Sequence, residues 1–322
     1  MTKIVVYDPL GFSDAQVQLI KDAAGGDYEV VVSPLERMSE EIVDAEIFMG
    51  YHKPDVFQQA PNLKWIQSSA AGMDAMLDEP LIARNLLISN ASGVHGPQVC
   101  ELAWSLTLAV ARGHFAFGEY QREHRWEPTA WPTHRDMEGG VAGIIGLGGI
   151  GLRYAKVAAA FGMTVKGVDL YPREMPAYVD SVAGMDQLDE LVAEADVVMV
   201  SCPYTEETHH LINADRLGKM KSTAILVNIA RGEIVEEAAL IECLKSDGIF
   251  GAGLDVTSTE PLPVESPLWE TPRLIITPHI AGLTGQRMQR LAEFFSANLT
   301  RYRAGEPLRN VIDSAKGYPV PV

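Results

Sequence analysis

The chain has 322 residues, 47% of them hydrophobic, which is enough to bury more than one core, and its length predicts two domains. Its 26 basic residues stand against 43 acidic ones, a net charge of −17. That balance argues against the clustered basic surface that nucleic acid or an anionic membrane requires and reads as a soluble, mutually repelling surface. Cys100, Cys202 and Cys243 are far apart, with no Cys-x-x-Cys or Cys/His ligand spacing. Free thiols, a reducing cytoplasmic setting and no metal are therefore expected. The start, Met1-Thr-Lys-Ile-Val-Val-Tyr, shows no signal-peptide pattern. The most apolar helical stretch, near 99–111, contains Glu101 and is too short to span a bilayer.

In chain order, short apolar runs at Ile4–Tyr7, Glu29–Val32, Glu46–Met49, Leu63–Gln67 and Leu86–Ser89 predict strands. Amphipathic stretches at Asp14–Ala24 and Leu35–Val43 lie between some of them, the pattern of a parallel sheet covered on both faces. Ser13 and Asp14 offer an N-cap, and Gly25-Gly26 a stop. Gly96-Pro97 opens a helix to about Ala111, with proline in the first turn where its missing N–H matters little. Residues 118–140 lose apolar periodicity and become polar and aromatic, which predicts a functional or interaction arm. A second series of strands follows at 141–145, 164–168, 196–201, 223–228, 250–254 and 273–276, suited to a six-stranded doubly wound sheet. A last helix is predicted over Gln286–Arg303. The pattern predicts a discontinuous α/β domain, residues 1–98 with 283–322, into which residues 99–282 are inserted, with the helices near 98–112 and 286–303 crossing the junction.

The second series opens on Val141-Ala-Gly-Ile-Ile-Gly146-Leu-Gly148-Gly-Ile-Gly151, a glycine turn between a strand and a helix. Gly146 permits the tight turn, Gly148 admits a pyrophosphate close to the backbone, and Gly151 lets helix and strand pack closely. The N–H groups and dipole of the helix start favour phosphate. Asp169 ends the next strand, where a carboxylate accepts from ribose hydroxyls and repels a 2′-phosphate, so NAD is expected over NADP. Arg173, four residues on, partly opposes that preference.

Three ionisable residues follow later strands: Arg231, Glu260 and His279. In an open α/β sheet, strand ends line the ligand crevice. Arginine binds a carboxylate bidentately, and histidine exchanges protons near neutral pH when a carboxylate orients it. Each residue taken alone also fits a solvated surface position. His209-His210 has no third ligand at metal spacing and is expected to be structural.

Over nearly its whole length the chain resembles the D-isomer-specific 2-hydroxyacid dehydrogenase family. The resemblance rests on the glycine turn, Asn228-Ile-Ala-Arg-Gly232, Leu254-Asp-Val with Glu260-Pro-Leu, Pro278-His-Ile-Ala-Gly282, and Ser69-Ala-Ala-Gly-Met-Asp74. It implies two doubly wound parallel-sheet domains: a Rossmann nucleotide-binding domain inserted in a flavodoxin-like substrate domain. It also implies hydride transfer between NAD(H) and C2 of a small 2-oxo or D-2-hydroxy acid. In that pattern Arg231 binds the carboxylate and polarises the carbonyl, His279 is the acid/base, and Glu260 keeps His279 charged and oriented. Gly149 and Ile150 would place backbone donors on the pyrophosphate, and Cys202 and Pro203 would line the adenine side. Asp255 would hold the nicotinamide carboxamide, with Ile229, Arg231, His279 and Gly282 as further cofactor contacts. Ala71 and Gly72 would hold the substrate carboxylate, and Tyr51, His52 and Trp131 would cap its side chain. The arm containing Trp131 implies a homodimer. Gly149 departs from the family, which often has arginine there, while Glu260 separates the chain from formate-oxidising relatives, which carry glutamine. An NAD-responsive, corepressor-like binding protein on the same fold and an NADP-preferring glyoxylate/hydroxypyruvate reductase are the alternative expectations.

Overall fold

A computed structural model of the chain describes residues 1–128, 134–314 and 316–319. It divides into two compact units: Met1–His95 with Leu283–Val322, and Gly96–Gly282. The divisions fall outside both long helices that the sequence expects to cross a junction, so each of these helices belongs wholly to one unit.

The first unit is a five-stranded parallel sheet: β1 (Thr2–Tyr7), β2 (Tyr28–Val32), β3 (Ala45–Gly50), β4 (Trp65–Ser68) and β5 (Leu87–Ser89), in the order β2-β1-β3-β4-β5. This is the flavodoxin-like order, with its switch point between β1 and β3. Successive side chains leave opposite faces of a strand. Ile4, Val6, Ile47, Met49 and Trp65 therefore pack against α1 (Asp14–Ala24) and α10 (Arg287–Ala304). Val5, Phe48, Ile66 and Ile88 pack on the opposite side, against Met38 and Ile42 around α2 (Met38–Glu41), Val56 and Phe57, and Leu81 of α3 (Glu79–Ala83). Apolar residues on both faces are what a sheet covered twice requires. The capping expectation for α1 holds: Ser13 Oγ accepts from the Gln16 N–H, and Gln16 returns a bond to the Ser13 N–H. Gly25, at φ 67°, ends the helix.

The second unit is a seven-stranded parallel sheet, one strand more than expected. It comprises β6 (Val141–Ile145), β7 (Thr164–Val168), β8 (Ser181–Ala183), β9 (Val197–Val200), β10 (Ile225–Asn228), β11 (Gly251–Leu254) and β12 (Leu274–Ile276). Their order is β12-β11-β10-β9-β6-β7-β8. The unexpected β8 is a three-residue edge strand paired only with β7, too short for an alternating pattern. One face carries α4 (Gly96–Ala111), whose Trp104 stacks on Tyr154 of α6 (Gly149–Ala160) at 4.5 Å between centroids. The other face packs on α7 (Leu188–Glu194), α8 (Ala214–Lys219) and α9 (Glu237–Lys245). The polar, aromatic stretch begins inside a short helix, α5 (His114–Arg122), which buries none of its residues. Trp131 lies outside the described residues.

Gly50 closes β3 at φ 143°, and a Cβ there would stand 1.4 Å from the Tyr7 carbonyl oxygen of β1. Gly50→Ala is therefore expected to destabilise the first unit by more than about 3 kcal/mol, combining backbone strain with a clash against a fixed main chain. Thermal unfolding would show this as a drop of many degrees, and an unchanged transition would contradict it.

Candidate active site

The β6–α6 turn is shaped for a dinucleotide. Gly146 has φ 91°, and a Cβ on it would sit 2.8 Å from the backbone of Cys202. A Cβ on Gly151 would lie 2.1 Å from the Gly146 carbonyl oxygen, so glycine alone permits α6 to pack this closely on the turn. Around Gly148, by contrast, the space where a Cβ would stand is open for 4 Å. No side chain caps the start of α6, so the amides of its first turn are left to a ligand. Ser201, just after β9, donates from Oγ to the Gly146 carbonyl at 2.7 Å, joining the two strand ends at the sheet's switch point. Cys202 packs beside this turn, and burial pushes its thiol up to about 12, which keeps it protonated and unreactive.

Asp169 is half-buried at the end of β7 and is pinned at both oxygens. Oδ2 accepts the Leu147 N–H at 2.8 Å, and Oδ1 the Tyr171 N–H at 2.9 Å. A carboxylate offers about four acceptor positions, so one on each oxygen remains for a diol. Arg173 is exposed.

Arg231, Glu260 and His279 follow the ends of three adjacent strands, β10, β11 and β12. The turn containing Arg231 is tied by Asn228, which is fully buried. Its Oδ1 accepts the Ala230 N–H at 3.0 Å, and its Nδ2 donates to the Arg231 carbonyl at 2.7 Å. Gly232 then passes so close to the next loop that a Cβ would meet the Thr257 carbonyl carbon at 2.0 Å. The Thr257 N–H in turn donates to Glu260 Oε1 at 3.0 Å. Glu260 Oε2 lies 2.6 Å from His279 Nδ1. An ionised carboxylate only accepts, so Nδ1 carries the proton, and Nε2 is the nitrogen left to exchange one. The set is partly solvent-accessible, with side-chain exposures of 47% for His279 and 36% for Glu260.

Asp255 organises the turn that carries His279. It is 1% exposed. Its Oδ1 accepts from Thr277 Oγ1 at 2.6 Å and from the Ile280 N–H at 3.0 Å, and its Oδ2 from the Ala281 N–H at 2.9 Å. The Asp255 carbonyl accepts the His279 N–H at 2.8 Å. These bonds hold His279 at φ 51°, a left-handed conformation rare for a residue with a side chain. Gly282 is fixed through its carbonyl by Gln98 Nε2 at 3.3 Å. The sequence gives Asn228, Gly232 and Thr257 no individual role. Of these, only Asn228 left a readable sign, an amide closing an apolar strand two residues before the N–H it accepts.

The loop after β4 belongs to the first unit, and most of its polar main chain is committed. The Ser69 N–H donates to the Gly50 carbonyl at 2.9 Å, Ala70 accepts from the Ala91 N–H at 2.8 Å, and Ala71 accepts from Asn90 Nδ2 at 2.6 Å. Among the described residues the N–H groups of Ala71 and Gly72 find no acceptor, which leaves two adjacent amides for an anion. Tyr51 is half-buried beyond β3, its N–H donating to the Tyr7 carbonyl, and the His52 ring stands 5.9 Å from that of Tyr7. His209 and His210 stack at 3.9 Å, His209 also meets the Tyr204 hydroxyl, and no metal-binding cluster of His, Cys, Asp or Glu occurs among the described residues.

Because Gly232 meets the Thr257–Ser258 peptide so closely, Gly232→Ala is expected to push the arginine turn away from the loop that holds Glu260. Displacement of this order lowers kcat/KM by about 100-fold. Steady-state kinetics with retained circular dichroism would show it, and near-normal kinetics would dismiss the link between the two loops.

Residues 104–281 match the family model described as "D-isomer specific 2-hydroxyacid dehydrogenase, NAD binding domain". A glyoxylate reductase of Korarchaeum cryptofilum is 32% identical over 92% of this chain and 90% of its own. A D-isomer specific 2-hydroxyacid dehydrogenase family protein of Aeromonas salmonicida superposes with a TM-score of 0.85 at 31% identity, covering 97% of this chain and 99% of the other. Another, from Xanthobacter autotrophicus in complex with NADPH and MES, gives 0.85 at 29% identity over 98% and 99%. With its doubly wound sheets and the histidine–carboxylate pair, the chain thus belongs to the D-isomer-specific 2-hydroxyacid dehydrogenases.

Proposed function

We propose that this enzyme reduces small 2-oxo acids to D-2-hydroxy acids with NADH, and runs the reverse oxidation with NAD. The observation that carries the proposal is the linked placement of Arg231, Glu260 and His279 on three neighbouring strand ends. Arg231 takes the substrate carboxylate and polarises the C2 carbonyl. His279 donates a proton from Nε2 to the carbonyl oxygen during reduction and recovers it during oxidation. Glu260 stabilises the charged imidazole and fixes its plane through the Nδ1 contact. The amides of Ala71 and Gly72 supply further donors for the carboxylate, and Tyr51 bounds its side chain, with Trp131 assigned the same task from sequence alone.

Gly146, Gly148, Gly149, Ile150 and Gly151 hold the pyrophosphate, with Cys202 and Pro203 toward the adenine and Ile229 and Gly282 toward the nicotinamide end. Asp255 Oδ2 accepts one protein donor, and its remaining capacity is assigned to the carboxamide. Bound there, the nicotinamide supplies or accepts the hydride. NAD is proposed over NADP because Asp169 is held at both oxygens and sets a carboxylate where a 2′-phosphate would approach. A homodimer is proposed on α5, which buries none of its residues, and on Trp126, which is 94% exposed. Three free cysteines support a cytoplasmic setting, and no helix among the described residues is long and apolar enough to cross a membrane.

Oxidation of NADH and of NADPH, followed across a panel of 2-oxo acids, tests the proposal. NADH is expected to support the higher kcat/KM, and preference for NADPH would overturn the assignment of Asp169. Absence of turnover with every acid would instead favour an NAD-responsive binding protein. His279→Asn is expected to lower kcat by about 1,000-fold or more, the scale of a lost general acid, while NADH still binds. Retained turnover would remove His279 from the chemistry.

A further inference from the structure

In the first unit a buried ion pair stands directly behind the loop of Ala71 and Gly72. Asp8 follows β1, and its side chain is 0% exposed. Its Oδ1 accepts from Arg287 Nη1 at 3.1 Å and from the Leu10 N–H at 3.0 Å. Its Oδ2 accepts from Arg287 Nη2 at 3.4 Å and from the Ser69 hydroxyl at 2.7 Å. Arg287, in the first turn of α10, is itself only 14% exposed. The carboxylate is thus gripped by both terminal nitrogens of a guanidinium, and the hydroxyl that begins the loop donates to it. Hydrogen bonds to ionised acceptors are the stronger and more directional kind.

Ser69 is held on every side. His95 Nε2 donates to its carbonyl at 2.9 Å, and the Gly50 carbonyl takes its N–H. Burial lowers the proton affinity of His95, so this bond comes from a neutral ring. One residue on, the Ala70 N–H donates to Ser68 Oγ at 3.0 Å. The two residues before Ala71 are therefore fixed by strand ends and by the C-terminal segment, and the uncommitted amides follow at once. Asp8 itself is too deeply buried to meet substrate.

We propose that Asp8, Arg287 and Ser69 are positioning residues that aim the Ala71 and Gly72 amides at the carboxylate of the 2-oxo acid. The inference rests on the substrate reading proposed above and adds three residues that none of the family motifs used for that reading assigns a role. It makes carboxylate affinity dependent on the C-terminal segment, because Arg287 comes from there while Asp8 and Ser69 come from the N-terminal one.

Two variants of the full-length enzyme test it. Ser69→Ala removes only the tether and leaves the ion pair in place. Asp8→Asn combined with Arg287→Met removes the pair as a unit, a replacement that often preserves stability because no lone buried charge is left behind. Both are assayed with glyoxylate and NADH, with oxamate as competitor, alongside the NADH dissociation constant and the thermal midpoint. Both are expected to raise KM for glyoxylate and Ki for oxamate by about 10-fold, with kcat within about 2-fold and NADH binding unchanged, the signature of lost carboxylate binding. Unchanged KM and Ki in Ser69→Ala, or a fall in kcat and NADH affinity without a KM effect, would overturn the inference and leave a purely structural ion pair. Should the double variant fail to fold, Ser69→Ala decides alone. If wild-type enzyme turns over no 2-oxo acid, it is the substrate reading that has failed, and oxamate binding to the NADH complex, compared between wild type and Ser69→Ala, still measures whether the loop is aimed at a carboxylate.

Discussion

The strand-end loops of the second unit depend on one buried carboxylate. Asp255 stands at the end of β11, between the strand that leads to Arg231 and the strand that leads to His279. It satisfies a hydroxyl and two main-chain amides of the turn after β12, while its own carbonyl fixes the amide of His279. A buried acceptor set of this kind leaves the turn little freedom, because each unmade bond would cost about 1–3 kcal/mol. It also supports a left-handed histidine that its own side chain would disfavour. The imidazole is thereby presented to Glu260, whose Oε2 lies 2.6 Å from Nδ1.

Around that carboxylate, Arg231, Glu260 and His279 are connected through main chain rather than through side chains alone. Asn228 shapes the arginine turn, Gly232 lets that turn rest on the Thr257–Ser258 peptide, and the Thr257 amide steadies Glu260. Strand ends are rigid relative to free loops, so groups mounted on β10, β11 and β12 keep their separations. The same economy appears at the nucleotide turn. Contacts from Gly146 to Cys202 and from Gly151 to Gly146 are too close for any side chain, and they bring α6 and its uncapped amides against the strand ends.

The first unit applies related physics to a different task. Its five-stranded sheet brings Asp8, Gly50 and Ser69 to neighbouring strand ends, and α10 returns from the far end of the chain to add Arg287. A carboxylate and a guanidinium that are nearly excluded from water require each other, and here the pairing also orders the loop whose amides remain open. Positions 8 and 287 are distant in sequence, and neither residue type is unusual in a chain with 43 acidic and 26 basic residues.

Much of the fold and part of the site were legible in the residues themselves. All five strands of the first unit and six of the second lie within a few residues of apolar runs, because a sheet buried on both faces demands β-branched and aliphatic side chains in sequence. Edge strand β8 was not, since three residues paired on one side leave no pattern. The glycine turn and Asp169 were visible because turn geometry restricts residue type locally, whereas Arg231, Glu260 and His279 were joined as a set only by the family resemblance. What only the tertiary structure decided is which groups hold these in place. Asp255 as the anchor of the histidine turn, Asn228 behind the arginine and Asp8 with Arg287 behind Ser69 are all common polar residues. Their roles arise from burial and from partners brought close by chain folding, and a hydrogen bond between strand ends leaves no periodic trace in the sequence.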